Sequence, residues 1–156
     1  CLIFSMNILL NIVIVVVTFF FMEFVAWFTH KYVMHGFMWF LHRDHHEPHH
    51  GFFEKNDWFA FIFAIPSAWL WYLGVAHQND WLFYIGIGIA TYGVAYFLVH
   101  DVIVHQRIKI LRTWNNSYVR AIRRAHKIHH KKMVKEGGES FGFVIVPGKY
   151  WEKKSI

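Results

Sequence analysis

The sequence predicts an all-α membrane protein, a helical bundle with three to four membrane helices, and three observations lead there. Hydrophobic residues make up 56% of the chain and aromatic residues 21%, beyond the balance of a typical soluble domain. Three apolar stretches, residues 2–28, 58–76 and 81–99, are each long enough for the roughly 20 residues a spanning helix needs. Ten of the thirteen histidines fall in two near-copies of one pattern placed at the ends of those stretches. A single membrane-embedded domain over residues 1–156 is the expected organisation.

The first stretch carries Glu23 near its end. It has neither a basic leading segment nor a small-residue cleavage site, so a retained helix is expected over a signal peptide, with Met6 offering a native start and residues 1–5 upstream of it. A shorter apolar run, Phe37 to Leu41, cannot cross alone and is expected to be a re-entrant or interfacial piece of the helix that carries the neighbouring histidines. The second and third stretches are joined only by His77, Gln78, Asn79 and Asp80, which implies an antiparallel hairpin. Its aromatic residues Trp58, Phe59, Phe61, Phe63, Trp69, Trp71, Tyr92, Tyr96 and Phe97 are better read as lipid-facing or packing residues than as substrate contacts.

Parity then places both histidine clusters on one side of the membrane. If the first span leaves at His30, the second departs near Trp58 and the third returns at His100. All sixteen Lys and Arg residues, from Lys31 to Lys154, fall on that side, and none lies in the 77–80 loop. The positive-inside bias makes it cytoplasmic, so the expected location is the inner (cytoplasmic) membrane, multi-pass, with the histidines facing the cytoplasm. The net charge of +6 follows the spans and accompanies no nucleic-acid reading motif, so nucleic acid is not an expected partner. The run Arg107 to Lys135 suits anionic lipid headgroups; a sharper reading is docking of an acidic electron carrier through Arg120, Arg123 and Arg124.

The repeated pattern is His30-x4-His35 with His42-x2-His45-His46, and His100-x4-His105 with His126-x2-His129-His130. On a helix turning about 100° per residue, positions i, i+3 and i+4 share a face, so three imidazoles of each H-x-x-H-H box can converge. Residues five apart sit roughly 140° apart on an ideal helix, so His30/His35 and His100/His105 either serve two different metals or need a distorted turn. Ten ligands exceed the four of zinc or about six of an octahedral ion, which points to two metals. Imidazole suits iron, zinc, copper or nickel, and affinity alone does not choose among them. Asp44 and Asp101, beside box histidines, are candidate acceptors for ring N–H groups, or else solvated interface charges. With Cys1 the only cysteine, disulfides and thiolate-ligated iron have no internal support.

Two other motifs fail on physical grounds. His46-Glu47-Pro48-His49-His50 formally reads H-E-x-x-H, but Pro48 kinks or ends the helix that motif requires. Glu47 and His50 form one E-x-x-H, whereas carboxylate-bridged di-iron bundles need two and further glutamates. His49 and His50 are therefore expected to flank the helix end. Beyond His130 a charged turn with Gly137-Gly138 precedes an apolar segment, Phe141 to Gly148, read as structural packing with no chemistry assigned.

These residues resemble the membrane fatty-acid hydroxylase and sterol desaturase superfamily, and within it the carotenoid branch of bacterial β-carotene 3-hydroxylases. The resemblance rests on Met22 to Gly36, Trp39 to His46, His100 to His105, His126 to His130 and the tail Glu139 to Phe143, and covers roughly Phe19 to Tyr150. It implies a di-iron, O2-dependent monooxygenase that hydroxylates C3 of a β-ionone ring, taking β-carotene to β-cryptoxanthin and zeaxanthin. It also implies two irons, which zinc can displace in purified protein, held by the ten box histidines. A ferredoxin-type electron donor and a carotenoid substrate arriving through the lipid follow from the same resemblance. The chemistry is consistent, since C3 is an unactivated methylene that no side-chain acid, base or nucleophile oxidises. Alternatives are a related enzyme acting on fatty acids, sterols or carotenoid C4, and a metal transporter. Transport is disfavoured because the interiors of the second and third spans hold no charged residue.

Overall fold

A computed structural model describes residues 7–47 and 51–151. The expectations for Met6, for residues 1–5 and for Pro48, His49 and His50 lie outside the described residues. Among the described residues there are five α-helices and no strand: α1 (Ile8–Phe28), α2 (Trp39–His46), α3 (Trp58–Ala76), α4 (Asp80–Phe97) and α5 (Ser117–His130). Two π-helical segments extend α1 and α4, Thr29–Phe37 and Leu98–Val104, and short 3-10 turns occupy Lys55–Asp57 and Gly148–Tyr150. Three helical stretches are long and apolar enough to cross a membrane: Ile8–Phe37, Lys55–Ala76 and Asp80–Val104. The second and third of these cover the apolar stretches 58–76 and 81–99, the last one lengthened by its π segment.

The chain divides into two compact units, one of residues up to Met22 with Trp58–Val94, the other of Glu23–Asp57 with Ala95 onward. In the first unit α3 and α4 form the expected hairpin. Gln78 takes a left-handed conformation in the turn, and the Asn79 side chain accepts the Leu82 N–H at 3.1 Å, supplying one of the acceptors a helix start lacks. The two helices approach closely at Gly86, where an added Cβ would lie 2.8 Å from the Trp71 backbone nitrogen, and Ser67 donates to the Gly86 carbonyl at 2.8 Å. Small residues at such a crossing replace the hydrophobic driving force that lipid removes. Large apolar side chains such as Ile65, Trp69 and Val94 face outward, as a lipid solvent permits.

The second unit holds the histidines. α5 begins with Asn116, whose side chain accepts the Val119 N–H at 2.8 Å. Its buried positions Val119, Ala121, Ile122 and Ala125 continue along the same face into His126 and His129. The apolar part of that face packs on Val146 and Tyr150 of the C-terminal tail. Burying each of the larger aliphatic side chains is worth about 1.5–3 kcal/mol, so this packing fixes the rotation of α5 and with it the direction of its histidines. The tail is tied down again by Glu23, whose carboxylate accepts the backbone N–H groups of Phe143, Val144 and Ile145 at 2.9–3.2 Å. A side chain at Gly142 would meet Glu23 Oε1 at 3.0 Å, which is why the residue in that cradle is small.

Candidate metal centre

The π segments settle how histidines five apart can work together. Backbone bonds from the His105 N–H to the His100 carbonyl, 2.9 Å, and from the Met38 N–H to the Val33 carbonyl, 3.0 Å, span five residues. One additional residue per turn brings i+5 back toward the face of i. His30 and His35 accordingly share a cluster, with ring centroids 5.2 Å apart, and the His100 and His105 rings lie 4.5 Å apart. Beyond His35 the helix breaks at Gly36, and α2 sets off with His42, His45 and His46.

Two groups of imidazoles result. His30, His35, His42, His46 and His129 form the first; His45, His105, His126 and His130 form the second, the ligand atoms of each lying within 4.8 Å of one another. His100 stands beside the second group, its Nε2 3.1 Å from that of His45. Each H-x-x-H-H box is thus divided: His42 and His46 go to one group and His45 to the other, while His129 separates from His126 and His130. Convergence of all three on one point, the expectation from shared helical face, gives way to a face that straddles two groups.

Outer contacts fix the ring tautomers. In the first group Nδ1 donates to the backbone carbonyls of Phe141 for His30 (3.0 Å), Lys135 for His35 (3.0 Å), Lys132 for His46 (2.9 Å) and Glu139 for His129 (2.9 Å). His42 donates to Asn56 Oδ1 at 2.7 Å. In the second group His45 donates to the Glu54 carboxylate at 2.7 Å, and His100 Nδ1 lies 3.4 Å from Asp101 Oδ2, at the long edge of a hydrogen bond. Carbonyl and carboxylate oxygens only accept, so the proton is on Nδ1 and Nε2 presents a lone pair.

Those lone pairs face one another: His30 to His42 at 3.1 Å, His42 to His46 at 3.1 Å and His35 to His129 at 3.2 Å. Facing lone pairs repel unless a cation lies between them. Nitrogens about 2.1 Å from one ion and at right angles to each other are about 3.0 Å apart, so the donor set fits a metal. In the second group the buried Nε2 of His130 has no hydrogen-bond partner among the described residues, a vacancy a metal ion satisfies. Burial, followed by the charge of neighbouring imidazoles, holds the rings neutral: His46 is lowered to about 4, His129 to about 3, and His130 to about 2. Burial similarly lowers His42 to about 2 against the upward pull of Asn56, and His45, His105 and His126 lie far below the ordinary value. Neutral imidazole is the form a metal takes.

Two sequence expectations change. Asp44 accepts the Lys55 backbone N–H at 2.7 Å and so pins the Lys55–Asp57 turn; the orienting roles belong to Asn56 and Glu54. The charged turn after His130 and the start of the apolar segment, to which the sequence assigns no chemistry, supply the carbonyls that orient four histidines, a role independent of side-chain identity. Arg120, Arg123 and Arg124 also donate to the carbonyls of Asn115, Ile103 and Tyr150, respectively, which braces the fold around α5.

Fold and site together define a helical membrane protein with two buried groups of histidines that could hold metal ions. The fatty acid hydroxylase family model matches residues 15–151, and the chain belongs to that family. It is similar to the β-carotene hydroxylase of Pantoea ananas, 45% identical over 88% of this chain and 78% of that protein. The β-carotene hydroxylase of Paracoccus sp. (strain N81106 / MBIC 01143) is 36% identical over 88% of this chain and 85% of its own length. The chloroplastic β-carotene 3-hydroxylase 2 of Arabidopsis thaliana is 36% identical over 81% of this chain and 42% of its own. No solved structure matches the chain.

Proposed function

We propose that the chain is a carotenoid hydroxylase, an O2-dependent di-iron monooxygenase that places a hydroxyl on C3 of β-ionone rings and works as one membrane-embedded catalytic domain. The observation that supports this reading is the pair of buried histidine groups in a chain whose relatives are named β-carotene hydroxylases. One iron would be held by His30, His35, His42, His46 and His129, the other by His45, His105, His126 and His130 with His100 at its side. Bound iron supplies the O2-dependent redox chemistry that an unactivated methylene requires and that no side chain offers.

The chain's own residues do the rest. The Nδ1–H bonds to Phe141, Lys135, Lys132, Glu139, Asn56 and Glu54 hold six imidazoles in the metal-binding tautomer. Phe143, stacked on His30 with centroids 4.8 Å apart, and Tyr96, stacked on His100 at 4.8 Å, line both groups with aromatic surface. A wholly apolar carotenoid dissolved in the bilayer delivers its ring laterally. Electrons arrive from a ferredoxin-type donor on the cytoplasmic side of the inner membrane. The histidine groups face that side, and an open cavity of about 280 Å³ lined by His105, His126, His130, Arg123 and Lys127 reaches the second group.

The test is the pigment mass spectrum of β-carotene-accumulating bacteria expressing the chain, beside a His126→Ala version. Gain of one and two oxygen atoms without hydrogen loss, seen with the intact chain alone, is the expected result, with C3 located by comparison with zeaxanthin. Oxygen gain with loss of two hydrogens per ring identifies a C4 ketolase instead. Unchanged carotene from folded, iron-loaded protein overturns the carotenoid assignment and leaves fatty-acid or sterol substrates.

A further inference from the structure

The two histidine groups differ in what stands behind them. Backbone carbonyls and an amide oxygen, all neutral, orient the first. Carboxylates stand behind the second: Glu54 Oε2 accepts from His45 at 2.7 Å, and Asp101 Oδ2 lies 3.4 Å from His100 Nδ1. The side chains of both acids are nearly buried, 13% and 10% exposed, so each needs a compensating charge. One residue supplies it. The Arg107 guanidinium, 16% exposed, places Nη2 2.8 Å from Glu54 Oε2, and its Nη1 lies 2.8 Å from Asp57 Oδ1 and 3.0 Å from Asp101 Oδ1. The Glu54 oxygen that receives the His45 N–H is therefore the one facing Arg107.

The backbone aims this arginine. The π segment of α4 ends at Val104, Gln106 turns through a left-handed conformation, and the Arg107 N–H returns to the Asp101 carbonyl at 2.9 Å. Asp57, in the turn that Asp44 pins, completes the clasp around the guanidinium. The planar guanidinium donates a hydrogen bond to Asp57 and faces Glu54 and Asp101 as ion pairs, a spread of charge over three carboxylates that the compact ammonium of a lysine does not match. Among the described residues, no other Lys or Arg lies within ion-pair distance of Glu54, Asp57 or Asp101.

We propose that Arg107 is a positioning residue for the second metal group, holding Glu54 and Asp101 aimed at His45 and His100, and that the first group does not depend on it. The proposal rests on the two-metal reading above. Glu54, as the acceptor of the His45 N–H, fixes the orientation of that ring, and outer partners of this kind are typically worth 10–100-fold in metal affinity. Removing the cation leaves three acids crowded behind the second group, free to swing away from the imidazoles.

The experiment counts metal ions per chain in purified, iron-loaded protein under a graded chelator challenge, with helicity by circular dichroism as the folding control. The wild type is expected to hold two. Arg107→Ala is expected to lose one ion at a chelator concentration about 10–100-fold lower than the wild type while keeping the other, and Arg107→Lys is expected to fall between them. Combining Arg107→Ala with His105→Ala, which disables the second group directly, should add no further loss; combining it with His35→Ala should leave the chain nearly empty. Loss of both ions in parallel from Arg107→Ala, or of helicity with them, shows a merely structural arginine and overturns the proposal. Unchanged retention of both overturns it as well. A wild type that never holds more than one ion overturns the two-metal reading and this proposal together.

Discussion

Each imidazole of the first group has two nitrogens with opposite tasks, and a neighbour assigns them. At His46 the assigning neighbour is the Lys132 carbonyl, at His42 the Asn56 side chain. Substitution should therefore separate two positions that look equally remote from the chemistry. Asn56→Leu removes an acceptor of the His42 N–H in a buried site, which costs about 1–3 kcal/mol and loosens the ring. Metal retention under chelator should fall about 10–100-fold. Lys132→Ala leaves the carbonyl in place and should retain metal like the wild type. Equal behaviour of the two variants in the chelator assay would refute the tautomer argument. This contrast also explains what could be read from residues alone. The ten histidines stood out by number and spacing, whereas a backbone carbonyl leaves no trace in residue type. Asn56 looks like any turn residue, and Asp44, adjacent to His45, drew attention by proximity although its carboxylate binds the Lys55 N–H instead.

At the scale of the element, the informative departure is the π geometry of Thr29–Phe37 and Leu98–Val104. The five-residue spacing was visible as a conflict with an ideal helix, and the distorted turn was one of its two possible solutions. The backbone adopts that solution in both copies. Single-residue insertion and deletion then have opposite expected outcomes. Deleting Tyr32, half exposed at 48%, sets the two histidines four apart, which an ordinary α-turn places about 40° from each other, so both still reach the first group. Inserting one alanine after Tyr32 sets them six apart, about 120° around an α-helix, and swings one of them out of the group. The deletion is expected to keep most of the bound metal and the insertion to lose the first ion, read as metal per chain after gel filtration. Equal loss from both would show that the π turn itself, rather than the shared face, is what the site requires. The spans were legible because hydropathy and length act locally, and α3 ends where its apolar run ends. The division of each H-x-x-H-H box between two groups was not, because it depends on which neighbouring segment approaches each flank of the helix.

At the scale of the whole molecule, a cluster of buried neutral imidazoles makes stability depend on pH with a definite sign. In the apoprotein the rings of His46, His129, His42 and His130 take up protons only near 4, 3, 2 and 2, respectively. In the unfolded chain they do so near 6.5. A folded-state value below the unfolded one means that the unfolded chain binds more protons between the two, so stability is full above about pH 6.5 and falls as pH drops through that window. One such imidazole contributes a slope of about 1.4 kcal/mol per pH unit, and several act together although their mutual repulsion makes the sum less than additive. The Tm of metal-free, detergent-solubilised protein should thus be nearly constant from pH 8 to 7 and decline progressively from pH 6.5 to 5. Metal occupancy follows the same sign, because protons and metal compete for Nε2, and the loaded protein should release its ions on the acid side of the plateau. A Tm profile flat from pH 8 to 5 would mean that the imidazoles already titrate in the folded apoprotein, with water reaching the groups when metal is absent. In that case the dry, neutral cluster exists only around its ions, and the metal assembles the site as well as occupying it.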